Sequence, residues 1–120
     1  MAAHNELGQW GEETAVAWLR QKGYVIIDRD WKLGHRDIDV VAIDGDRVVF
    51  VEVKTRRNRL FGEPEEAVDF RKRRNLQMAI NCYVKSKRID SEIRFDVITV
   101  VGMPGRGEPE IDHIQDFPLY

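Results

Sequence analysis

The order of elements predicted along the chain is one helix, three strands, a second helix and a fourth strand, which points to an α/β fold with a mixed β-sheet flanked by helices. Three observations carry this reading. Leu7, Trp10, Thr14, Ala15, Trp18 and Leu19 recur at helical spacing. Two β-branched runs then meet across Gly45-Asp46, and a further run follows a long basic stretch. Finally, 120 residues suit a single domain spanning 1–120, because two domains of about 60 residues would each be marginal alone.

The first helix is predicted over 5–22, with Gly23 as its stop and with Trp10 and Trp18 facing the core. Val25, Ile26 and Ile27 make 24–31 a strand, and Gly34 places a turn within 32–36. A second strand runs from Asp37 to about Asp44. Gly45-Asp46 suits a two-residue hairpin turn with positive φ at the glycine, and the third strand follows over 47–54. One face of this hairpin carries Val41, Ile43, Val48 and Phe50; the other carries Ile38, Val40, Ala42, Val49, Val51 and Val53. Strands apolar on both faces are central strands covered on each side. Residues 55–64 read as a polar, basic loop. Pro64 fits the first turn of a second helix, where its missing N–H would be unbonded in any case. That helix is predicted to reach about Arg88, with apolar positions dense only in its second half. A fourth strand covers 92–101, a glycine-rich loop follows, and Ile111, Ile114 and Phe117 suggest a short closing element.

Hydrophobic residues make up 42% and charged residues 33% of the chain, which excludes wholesale disorder. The longest apolar run, Ala15 to Leu19, is far short of the roughly 20 residues that span a bilayer. No membrane partner is expected, and without a secretory signature a cytoplasmic location is. One cysteine and three histidines offer neither an internal disulfide nor a structural zinc site, and Cys82 is expected to be a buried small hydrophobe. Gly102, Gly105 and Gly107 lack the Lys-Ser/Thr of a phosphate-binding loop.

The net charge of -2 conceals a division: residues 1–53 carry 6 basic and 10 acidic side chains, 54–88 carry 11 and 4, and 89–120 carry 2 and 7. A basic middle between acidic ends is expected when one surface meets a polyanion, so nucleic acid is the leading partner. Acidic residues early in the second helix and Lys85, Lys87 and Arg88 late in it are what the helix dipole favours. The dipole does not account for Arg56, Arg57 and Arg59 in the loop, or for Arg71, Lys72, Arg73 and Arg74, and these are the expected phosphate contacts.

With Gly45-Asp46 as the turn, residues whose numbers sum to about 91 face each other, so Asp39 lies opposite Glu52 with Lys54 on their face. Opposed like charges are destabilising, and charges at the edge of a covered sheet are costly unless paired or bound to an ion. Were this the wet side of an amphipathic hairpin, the charges would need no such partner, but both faces are apolar. Paired carboxylates with open positions suit Mg²⁺ (or Mn²⁺), and a neighbouring lysine can position or deprotonate a water or offset charge on a phosphate.

Asp39 followed by Glu52-Val53-Lys54 resembles the D...(D/E)-x-K signature of the restriction-endonuclease-like PD-(D/E)xK nuclease superfamily. Its neighbourhood is more specific: Gly8-x-x-Gly11-Glu12, Ile38-Asp39-Val40-Val41, Val51 through Arg56, Phe61-Gly62-x-Pro64-Glu65-Glu66-Ala67-Val68, and Arg94-Phe95-Asp96. Together these resemble the bacterial UPF0102 (YraN-like) family, similar to archaeal Holliday-junction resolvases. The resemblance implies a restriction-endonuclease-like fold and a catalytic set of Glu12, Asp39, Glu52 and Lys54. It also implies that Glu12 reaches the metal held by Asp39 and Glu52, that the substrate is DNA of branched structure, and that the chain forms a homodimer. Asp37 stands where the family has Glu after a glycine, and it keeps the acidic character beside Asp39. The function expected is a metal-dependent DNA endonuclease; the alternative is a catalytically silent DNA-binding scaffold in DNA processing or repair.

Overall fold

In the computed structural model, which describes residues 2–34, 36–58 and 70–119, the elements are α1 (Ala2–Gln21), β1 (Val25–Leu33), β2 (Arg36–Asp44), β3 (Arg47–Arg56), α2 (Phe70–Ser86), β4 (Ile93–Val101) and β5 (Glu110–Ile114). The strands form one sheet in the order β1-β2-β3-β4-β5. Neighbours are antiparallel except β3 and β4. Antiparallel neighbours can be joined by short turns, whereas the parallel pair needs a crossover, and here it runs through α2. The expected α/β fold, a mixed sheet flanked by helices, is what the chain adopts.

The two helices cover opposite faces of the sheet. Ala15, Val16 and Leu19 of α1 pack with Val40, Ala42, Val49, Val51, Ile98 and Val100. Leu76, Ala79, Ile80 and Tyr83 of α2 pack with Val41, Phe50, Phe95 and Val97. β3 and β4 are therefore buried on both sides, which is why they read as nearly continuous apolar runs. Trp10 and Trp18 lie half-buried against the α1 layer, as their spacing predicts.

Gly45 has φ +65, and the hairpin pairs run from Asp44 with Arg47 to Val40 with Val51, the register the turn predicts. One expected face assignment is wrong. Ile38 joins the α2 layer with Val41 instead of lying with Val40. Strict alternation therefore breaks between Ile38 and Val40, at Asp39, and the β2–β3 ladder ends at the next residue. Cys82 is a second correction, because it is exposed rather than buried. The expected start of the second helix at Pro64, and Arg59, lie outside the described residues.

Arg94-Phe95-Asp96 has a structural role. Buried Asp96 accepts hydrogen bonds from Arg94 Nε and Nη2, both at 2.9 Å, and from the Asp116 amide at 3.1 Å. Its Oδ2 lies 2.8 Å from His113 Nε2, and Trp18 Nε1 donates to His113 Nδ1 at 3.1 Å. An indole nitrogen only donates, so Nδ1 accepts and Nε2 carries the hydrogen directed at Asp96. Burial raises the Asp96 pKa, but the bonds from His113 and Arg94 outweigh it and hold the carboxyl below its ordinary range. This chain of bonds ties α1, β4 and β5 together.

Candidate functional site

The site forms where β2 and β3 stop pairing. Past Val40 and Val51 the Val53 amide donates to Asp39 Oδ2 at 2.8 Å, so a carboxylate stands where a strand carbonyl would otherwise accept. A cleft of about 800 Å³ opens at this end of the sheet, lined by Glu12, Asp30, Asp37, Asp39, Lys54 and Arg56 among others.

Glu12 comes from α1, and what lets it approach is Gly11. A Cβ at Gly11 would lie 2.0 Å from Thr55 Oγ1, so only glycine lets the helix come this close to β3. Arg29 of β1 fixes the helix from the other side, donating to Glu12 Oε1 at 3.1 Å and to Glu13 Oε1 at 2.6 Å.

Glu12, Asp30 and Asp39 each offer a carboxylate oxygen, and these oxygens lie within 4.8 Å of one another. Three hard oxygen donors at that spacing could hold a divalent cation such as Mg²⁺ that keeps part of its water shell. Without a cation the cluster is short of positive charge. Burial, then the charge of Glu52, pushes the Asp39 carboxyl up to about 8, with Asp37 adding to it. Burial and the neighbouring Asp30 raise Glu12, with Arg29 working against them.

Glu52 is only 3% exposed and takes two cations on one oxygen, Lys54 Nζ at 3.1 Å and Lys72 Nζ at 2.5 Å from Oε2. Burial lowers the pKa of Lys54, and Lys72 presses it the same way. For Lys72 burial works in that direction too, but the charge of Glu52 outweighs it and the pKa is raised.

Sequence reasoning names Glu12, Asp39, Glu52 and Lys54, and all four stand at this end of the sheet, Asp39 linking the Glu12 cluster to Glu52. Asp37 is exposed on the cleft rim, outside the mutually close carboxylate oxygens found among the described residues. Sequence reasoning misses Asp30. Its signal lies in the turn at Gly34: between that turn and the register shift before Asp28 the paired numbers sum to 69, which sets Asp30 level with Asp39, between the Arg29–Val40 and Trp31–Ile38 pairs. Asp30 also holds φ +50, a left-handed conformation unusual for a non-glycine residue in a strand. Of the basic residues, Arg71, Arg74 and Arg57 are exposed, and Arg56 is half-buried on the cleft rim. Arg73 lies 5.1 Å over the Phe117 ring, and Lys72 turns inward to Glu52.

The family model described as "Uncharacterised protein family UPF0102" matches residues 11–100, from the glycine that admits α1 to the penultimate residue of β4. A UPF0102 protein of Bacteroides thetaiotaomicron is 49% identical over 116 residues, covering 97% of this chain and 94% of the relative. One from Syntrophomonas wolfei is 46% identical over 112 residues, with 92% and 96% covered. Another, from Rhodococcus opacus, is 44% identical over 117 residues, with 95% and 98% covered. Likeness at this level extends across the helix, the hairpin and the crossover that together build the cleft, and the chain belongs to the UPF0102 family.

Proposed function

We propose that this chain is a divalent-cation-dependent nuclease that acts in the cytoplasm on DNA phosphodiester bonds, with branched DNA as the substrate class. The observation that carries the reading is the convergence of Glu12, Asp30 and Asp39 beside the Glu52–Lys54 pair at the open end of a covered hairpin. Repulsion of this kind costs stability, and a catalytic cation is the plainest reason to keep it. When bound, Mg²⁺ or Mn²⁺ supplies charge stabilisation on the phosphate and lowers the pKa of a coordinated water. Glu12, Asp39 and Glu52, with Asp30, are the residues that would hold it. Lys54, its pKa lowered by burial, can exchange a proton at Nζ or offset charge developing on the phosphate. Arg56 on the cleft rim and exposed Arg57, Arg71 and Arg74 are the phosphate contacts of this reading, and the resemblance to resolvases makes a homodimer part of it.

The test is a panel of branched and linear DNAs with Mg²⁺ or Mn²⁺. At least one structure should be cut, and Lys54→Ala should abolish cutting while binding persists. If nothing in the panel is cut, or the variant cuts as well as the wild type, the enzyme reading is overturned. One observation favours the scaffold alternative: Glu52 is already neutralised from within by two lysines, so the fold itself does not require a cation at that carboxylate.

A further inference from the structure

Arg71 to Arg74 span one full helical turn, so the four cations cannot share a direction, and the structure separates them. Arg71 and Arg74 face solvent, Arg73 covers Phe117, and Lys72 alone enters the site. There it shares Glu52 Oε2 with Lys54.

The two lysines are held differently. Lys54 sits two residues from Glu52 on the same strand, so it stays near that carboxylate whatever else binds. Lys72 arrives from α2 on a four-carbon stem that is 33% exposed, with room to withdraw. A divalent cation ligated by Glu52 would stand within a few ångströms of both ammonium groups, and like charges at that distance repel strongly in a half-buried setting. Of the two, the one able to swing away is Lys72.

We propose that Lys72 is a removable internal counter-ion: it neutralises Glu52 while no cation is bound there and is displaced when one binds, so that the lysine and the metal are alternative partners of one carboxylate. This rests on the reading of the site as a cation site. Lys72 is thus a positioning residue that sets metal affinity, in contrast to the exposed arginines flanking it.

The experiment is calorimetric titration of the full chain with Mn²⁺ alone, without DNA, beside thermal melts. Lys72→Met keeps the stem and removes the charge, Lys72→Gln keeps a donor, and Arg71→Met is the control on the same helix. Removing the competing charge should tighten Mn²⁺ binding about tenfold in Lys72→Met and Lys72→Gln, and Arg71→Met should stay within about twofold. The cation-free melting temperature of the Lys72 variants should fall and Mn²⁺ should restore it. A purely structural lysine would lower stability without tightening the metal. Affinity in both Lys72 variants equal to or weaker than the wild type overturns the proposal while leaving the cation site standing. If the wild type binds no Mn²⁺ at millimolar concentration, the cation reading falls and takes this proposal with it.

Discussion

Replacing Gly11 with alanine sets two effects against each other, and the geometry decides between them. On helix propensity alone the change is favourable by about 1 kcal/mol. However, the added methyl would lie 2.0 Å from Thr55 Oγ1, 2.8 Å from Cγ2 and 2.9 Å from Cβ. Overpacking costs about 1–3 kcal/mol, and a clash with a β-branched residue fixed on a central strand belongs at the top of that range, leaving a net loss of about 2 kcal/mol. For a domain of this size that is a fall in Tm on the order of 8 °C. Gly8 supplies the control, because it lies on the same helix with nothing within 4 Å of a built Cβ. Gly8→Ala should therefore raise Tm by a few degrees. Thr55→Ala removes two of the three clashing atoms and should recover at least half of the loss in the double variant. Gly11 adjoins Glu12 and Thr55 adjoins Lys54, so the displaced helix should also weaken Mn²⁺ binding. Thermal melts followed by circular dichroism decide the matter. Should Gly11→Ala melt at or above the wild type, or Gly8→Ala fall as far, close approach of α1 to β3 is not what the glycine provides.

Three further outcomes follow from the same geometry. In the cation-free fold Asp39 keeps its proton up to about pH 8, whereas unfolded it loses it near 4, so its stabilising contribution is complete at low pH and drains away as pH rises between those values. The wild type should lose stability relative to Asp39→Asn by up to about 1.4 kcal/mol per pH unit across pH 5–8, and melting curves that stay parallel would refute this. Asp30→Gly relieves a left-handed φ of 50 and removes a carboxylate, so Tm should rise without metal while Mn²⁺ affinity drops; unchanged affinity would remove Asp30 from the donor set. Neutralising Arg71 and Arg74 should reduce the slope of log affinity against log salt for DNA by about 0.9 for each phosphate no longer neutralised, and an unaltered slope would make them merely a solvated helix face.

The elements and the hairpin register are legible because the turn at Gly45 and the apolar runs are local signals. The β2–β3 strands read as buried on both faces, and they are. What the local pattern does not reveal is the break at Asp39. Period-two alternation puts Ile38 with Val40, yet Ile38 belongs to the α2 layer, since the strands diverge where Asp39 takes the Val53 amide. Lys72 reads as one cation among four because linear spacing does not say which turn of α2 lies against β3. Cys82 misleads for a related reason: its apolar neighbours in sequence point inward, and it sits on the other side of the same helix. Asp30 is within reach through the pairing of β1 with β2; aspartate is one of the few non-glycine residues that tolerate a left-handed backbone, but nothing in the spacing singles this one out.

The order of strands across the sheet repeats their order along the chain, with a single crossover through α2. Assembly can therefore follow synthesis, each strand docking on the one before it, with one long-range closure left to make. Glu12, Asp30, Asp39 and Glu52 all lie in the segment that pairs first, whereas Lys72 arrives only when the crossover helix docks. A growing chain thus gathers its carboxylates before half of the ammonium charge that shields Glu52 is available, and that repulsion weighs on the partly folded state more than on the finished one. If the cleft holds a divalent cation as proposed, an ion present at that stage would relieve the same repulsion and lower the barrier to assembly.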